Sequence, residues 1–325
     1  MINVNTAKTL NIILPNTNKA LSEVLKSITP KELETLSQAK DLKSIINGLL
    51  QQKANDSSGD AKLLTLLKNN PTFKELSSVS SSIKELLQTL QKEKTTLPLE
   101  KQLKSFLSNM QTVSESDLKM KIENSGVFLE SKIKQLFDKS IPLSKPELLQ
   151  MQVSAKEIFS HDLKAILLKA HEELQNSSLV NRQEILKHID KLTLQIDYHQ
   201  LLSHLENATS LYIPYSWDAL KDGNITIKSA KDDKFFTDIE LHLKEYGMLK
   251  LRLGMFEKNQ LNINITVEGK ELKKILQDNI PTLKEQLFGV NIVPVSIRFL
   301  DDDTALSSLY SEHDQELNAG FEVKV

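Results

Sequence analysis

The histidines and their acidic neighbours are where catalysis would have to start. His171-Glu172-Glu173 has the opening of a helical zinc-protease motif, but Gln175 stands where the second histidine is needed. His199 and His204 are five apart, about 140° around a helix, so they cannot share a metal from one face. Both read as half-exposed helix positions. His161-Asp162 and His188 with Asp190 read as surface pairs, and His242 alternates onto the polar side of its strand. No Gly-x-Gly pair, phosphate loop or Gly-x-Ser-x-Gly elbow occurs. The chain has no cysteine, which excludes disulfides, thiolate catalysis and cysteine metal sites. Nothing singles out a pair of carboxylates for acid–base work. The expectation is a protein that is no enzyme, with no catalytic residue, metal, cofactor or small-molecule substrate.

Composition narrows the partners. The chain has 325 residues, a net charge of -2 and 26% charged residues, an ordinary balance for more than one folding unit. Its only arginines are Arg182, Arg252 and Arg298, whereas phosphate and guanine readout favour arginine. Nucleic acid is not expected as a partner. No run approaches the roughly 18 apolar residues of a membrane span, and the helix polar faces mix Lys with Glu, Gln and Ser, so membrane insertion is not expected either.

These side chains must be positioned by helices first and strands later. Residues 1–18 are Asn/Thr-rich and read as a flexible N-terminus, with a loose character also found in uncleaved type III export signals. Residues 19–112 read as loosely packed or partly disordered helices. The first spans about 20–52, with Thr29-Pro30-Lys31-Glu32 as a start signal inside it. Residues 113–206 read as a helical domain with one helix over 114–138, a long one over 144–175 and another over 180–206. Gly126 falls in the middle of the first, at a cost of about 1 kcal/mol against Ala.

Near residue 207 the period changes from 3.6 to 2. Ile225 and Ile227 form a short strand after a turn at Asp222-Gly223-Asn224. Asp238–Leu243, Leu249–Met255 and Leu261–Val267 then alternate apolar with polar residues across short turns, an antiparallel meander with one buried face. A helical stripe follows at Leu272, Ile275, Leu276, Ile280, Leu283 and Leu287, interrupted by Pro281, and Val293–Phe299 gives a last strand. The helix is expected to cover the apolar sheet face. The fold class is α+β: a mostly helical N-terminal region, then a small α+β domain over 207–300. Residues 301–325, with seven acids against one Lys, read as a solvated, disordered tail.

The order of these pieces resembles one known family. Ile239–Leu243, then Tyr246-Gly247-Met248-Leu249-Lys250-Leu251-Arg252-Leu253, then Leu261–Ile265, is similar to the core of the C-terminal domain of flagellar hook-length control proteins. Pro281-Thr282-Leu283, Leu287 and Gly289 match that family's Pro-x-Leu helix element, while Lys244-Glu245 stand where the family carries a proline. Upstream, Ser125-Gly126-Val127-Phe128-Leu129-Glu130 resembles a segment of the same family and its relatives. The resemblance implies a structural or partner-contact role for Tyr246, Gly247, Leu249, Leu251, Pro281, Leu283 and Gly289, and for Ser125, Gly126, Phe128, Leu129 and Glu130. It also implies a cytoplasmic protein exported through the flagellar type III apparatus. Its partners would be a component of the flagellar export gate and the hook and hook-cap proteins. Its mechanism would be hook-length control and export-specificity switching by protein–protein contact. The alternative is a cytoplasmic helical adaptor or scaffold carrying the same α+β interaction domain.

Overall fold

A computed structural model describes residues 18–20, 58–74, 76, 78–93, 98–107, 114–138, 145–206, 208–213, 217–229 and 234–300. The expected helix over 20–52, apart from its first residue, and the acidic tail at 301–325 lie outside these residues. The chain is α+β and divides into two compact units between Trp217 and Asp218.

The first unit is helical. Its described helices are α1 (Ser58–Asn69), α2 (Pro71–Lys74), α3 (Val79–Gln91), α4 (Pro98–Phe106), α5 (Glu115–Glu123), α6 (Leu129–Asp138), α7 (Lys145–His161), α8 (Leu163–Gln175) and α9 (Arg182–Leu205). A short strand, β1 (Thr209–Tyr212), follows. The organising element is α9, which packs against α1, α3, α8 and β1. Ile185, Ile189, Leu192 and Ile196 recur at helical spacing along it and are all fully buried. Local chemistry starts the helices. The Ser78 hydroxyl accepts from the Ser81 N–H at the head of α3, and Ser114 and Asp117 form a capping box on α5.

Two helices expected to be continuous are broken. The 114–138 segment divides into α5 and α6 around a turn in which Gly126 has φ +90°. A Cβ there would lie 2.8 Å from Lys164 Cβ and 2.9 Å from its backbone nitrogen. The glycine therefore serves both a left-handed turn and a close approach to α8. The 144–175 segment divides into α7 and α8 at Asp162. Its carboxylate accepts from the Lys164 and Ala165 N–H groups at 3.1 and 3.3 Å and so caps α8. No glycine or proline marks that break, which is why hydrophobic period alone misses it.

The second unit holds β2 (Leu220–Ser229), β3 (Phe235–Leu243), β4 (Gly247–Phe256), β5 (Gln260–Val267), α10 (Lys270–Asp278), α11 (Ile280–Gly289) and β6 (Val293–Leu300). The strands lie in chain order. β2 through β5 are antiparallel, and β6 returns parallel to β5 after the two helices, as a parallel return requires a crossover. Asp222-Gly223-Asn224 is not a turn. It belongs to β2, in register with His242, Leu241 and Glu240, and Asn224 donates to Glu240 at 3.3 Å. Cross-strand partners thus override the local turn preference of these residues.

The register builds the core of this unit. Ile225, Ile239, Leu251, Ile265 and Phe299 form one apolar row across all five strands. Ile227, Thr237, Leu253, Ile263 and Ile297 form the next row on that face. The opposite face is polar. Arg252 donates twice to Asp238, from Nε at 2.7 Å and from a terminal nitrogen at 3.1 Å. The helix expected to cover the apolar face is split at Asn279, which ends α10 and precedes Pro281 in the first turn of α11. Of its stripe only Leu272 is fully buried.

Candidate functional site

The upstream segment closes around one buried lysine. The Lys164 side chain, on α8, is 1% exposed. Its ammonium pairs with Glu130 at the start of α6 and with Asp197 on α9, the latter at 2.5 Å. It also donates to Gln200 Oε1 at 3.1 Å, and the Gln200 amide donates to Glu130 and to the Val127 carbonyl. Burial alone would lower the Lys164 pKa, but the Asp197 and Glu130 carboxylates beside it raise it above the ordinary value. An ammonium held protonated is a poor nucleophile, so the cluster is built for cohesion.

Each residue of Ser125–Glu130 named from the sequence has a place here. Gly126 permits the approach to α8. Ser125 is buried, and its carbonyl accepts from the Tyr212 hydroxyl at 3.0 Å, tying the turn to β1. The Phe128 carbonyl accepts from the Ser131 hydroxyl and from the Lys132 N–H on α6. Leu129 enters a core with Ile133, Ala155, Phe159, Ala165 and Leu168. Glu130 supplies the carboxylate. Lys164, Asp197 and Gln200 were not singled out from the sequence. A lysine and an aspartate 33 positions apart carry no local mark of meeting.

One sequence reading is corrected in this unit. Asp162 is no surface residue but is fully buried, with Lys132 at 3.3 Å, and burial pushes its pKa up to about 6. His199 is half-buried, in keeping with a half-exposed helix position. Its ring lies between Tyr198 and Tyr212 and its Nδ1 is 3.2 Å from the Ser210 hydroxyl. Burial lowers its pKa to about 4. The unfolded histidine takes its proton near 6.5, so the stability that His199 contributes is complete above that pH and is lost as pH falls towards 4, up to about 3 kcal/mol. Asp162 acts in the opposite sense over much of this window, because its raised pKa favours the fold at lower pH. The His199 and Asp162 contributions therefore offset each other over much of this window. Thermal unfolding of wild type and His199→Gln at pH 7.5 and 4.5 separates the two: the variant should lose less stability on acidification.

In the second unit the motif residues divide between core and turn. Leu249 is buried, opposite Leu241 and Val267, while Leu251 and Leu283 are half-buried. Tyr246-Gly247 turns the chain from β3 into β4, with Gly247 at φ +73°. A Cβ at 247 would meet the Glu268 carboxylate, which accepts from the Met248 N–H at 3.0 Å and clamps the turn to the end of β5. Pro281 sits exposed in the first turn of α11. Gly289 has open space around it, and the left-handed residue of that turn is Asn291 at φ +61°. Gly247→Ala is therefore expected to cost about 1–3 kcal/mol, whereas Gly289→Ala should be neutral. Chemical denaturation of the two variants tests the contrast. His242 pairs with Asp222 on the polar face.

Residues 224–305 match the family model described as flagellar hook-length control protein FliK. The second unit holds a hook-length control domain. The match covers about a quarter of the chain and begins within β2. No curated protein and no solved structure matches the chain.

The helices and last strand of the hook-length control domain carry several exposed apolar side chains. Phe288 is 57% exposed, Val290 67% and Val295 58%, with Ile275 and Val293 also accessible. Among the described residues, no helix is long and apolar enough to cross a membrane and no group of His, Asp or Glu is placed to hold a metal ion.

Proposed function

We propose that this chain controls flagellar hook length and switches export specificity by protein–protein contact through its hook-length control domain. The family match supports the hook-length role. The apolar side chains that α10, α11 and β6 leave in water support contact as the mechanism, because exposed apolar patches of this kind mark interaction surfaces. The partner on this surface is a component of the cytoplasmic export gate. Tyr246 and Leu283, each only half-buried, join Phe288 and Val290 in contacting it, while Leu249 and Leu251 serve the sheet. The N-terminal region, exported through the type III apparatus, meets the hook and hook-cap proteins.

Phe288→Asp with Val290→Asp tests this reading, since both side chains lie outside the core. The double variant should keep the circular dichroism of the parent and produce overlong hooks. Normal hooks from a stably folded variant would refute contact through this surface. The adaptor reading is separated by deleting residues 1–20: loss of export supports the proposal, and a full-length chain that is never exported supports an adaptor.

A further inference from the structure

The Lys164 cluster also forms a seat, and the chain's own residues 18–20 occupy it. Asp197 is fully buried and divides its two oxygens. Oδ1 faces Lys164 Nζ, and Oδ2 accepts the backbone N–H of Lys19 at 2.7 Å. The Asn18 amide donates to the Asp197 carbonyl at 2.9 Å and to Gln200 Oε1 at 3.3 Å. Lys19 Nζ pairs with Asp190 at 2.8 Å near the surface. Ala20 is fully buried in a pocket made by Leu67, Leu201, Leu202 and Leu205.

This seat has a definite chemical preference. Two carboxylates, Glu130 and Asp197, surround one ammonium, so the cluster keeps an excess of negative charge and calls for donors. A backbone N–H and a carboxamide meet that need. The pocket next to it is filled by a single methyl group. An Asn-x-Ala segment entering from an N-terminus fits both conditions. Among the described residues the attachment is small, with a few hydrogen bonds and one buried methyl, while the cluster beneath it is also fastened through Glu130, Lys164 and Gln200. Local opening at this site need not unfold α8 or α9.

We propose that Asn18–Ala20 is a reversible latch: its donors and the Ala20 methyl hold it in this seat on the helical unit, and its release speeds export of the chain. The second half rests on the export reading above; the latch itself does not.

The absence of cysteine makes a single engineered thiol an unambiguous probe. In the full chain, Ala20→Cys should react with a maleimide at least about tenfold more slowly than Val180→Cys, an exposed control. Adding Asn18→Ala and Lys19→Pro removes the donors to Asp197 and Gln200. Those changes should bring the labelling rate at position 20 close to that of the control, while the helical unit still unfolds in one cooperative transition at a slightly lower midpoint. A buried site that reacts at the control rate overturns the latch, and so does slow labelling that persists after the donors are removed. Hydrogen exchange at the Lys19 amide in the unsubstituted chain tests the same point free of any effect of the thiol: protection supports the latch and free exchange overturns it. Export is then compared between chains that carry only the Asn18 and Lys19 changes and wild type. Faster export of the unlatched chain is expected, and an equal rate overturns the regulatory role. A chain that is exported in neither form defeats the export reading, and the labelling result still decides whether the latch exists.

Discussion

Replacing Lys164 by Met is expected to destabilise the helical unit by about 3–5 kcal/mol, because it removes one partner from a buried ion cluster and leaves the others in place. Asp197 is fully buried and Glu130 half-buried, and both face the Lys164 ammonium. Methionine fills a similar volume, so the loss is electrostatic and not a cavity. The attraction of Asp197 and Glu130 keeps Lys164 charged in spite of its burial, which means the folded state depends on that charge. A double-mutant cycle separates the pair from its surroundings. Asp197→Leu alone should also be costly, and the double variant should be more stable than the sum of the single losses predicts, as expected for residues in contact. Urea denaturation of the four proteins, followed by helical circular dichroism, measures the coupling. Additive losses would mean that Lys164 and Asp197 do not depend on each other.

Ile265→Asp is expected to unfold the hook-length control domain, at a cost above about 4 kcal/mol. Ile265 is 3% exposed and sits between Leu251 and Phe299 in the central apolar row of the sheet. A carboxylate there has no cationic partner in its row, so it must either be buried charged or be protonated at neutral pH, and both are costly. Leu251→Asp is the milder change, because Leu251 is only half-buried. The helical unit should survive both. Separate melting transitions, or domain-resolved hydrogen exchange, would show loss of the sheet alone. A native-like sheet in Ile265→Asp would contradict the register.

The sheet was the most legible part of the chain, for a physical reason. Alternation along Asp238–Leu243, Leu249–Met255 and Leu261–Val267 is written in consecutive residues, and short turns leave little freedom in how such strands pair. The Pro281 interruption was readable for the same local reason. What period could not show was decided by distant partners. The break at Asp162 comes from a side chain capturing two N–H groups, in a stretch whose apolar spacing continues across it. Asp222-Gly223-Asn224 has turn composition but is held in β2 by Glu240 and His242. The importance of Gly126 was visible, while its cause was not, because Lys164 and Ile196 approach it from 38 and 70 positions away.

The candidate site divides along the same line. Ser125–Glu130 could be picked out as a segment, yet its meaning lies in Lys164, Asp197 and Gln200, which stand in ordinary amphipathic helices. In the hook-length control domain, Gly247 lies in a turn and Leu249 in the core. The side chains most available to a partner, Phe288, Val290 and Val295, were hidden from sequence reasoning, because their exposure depends on how little of the apolar stripe the sheet accepts.

The proposed control of hook length meets its most direct test in the hooks themselves. Hooks are isolated from cells lacking this chain and from their complemented parent, and their lengths are measured by electron microscopy. Hooks that are long and widely dispersed without the chain, and restored by complementation, are the predicted result. Hooks of parental length and spread, with filaments assembled normally, would contradict it.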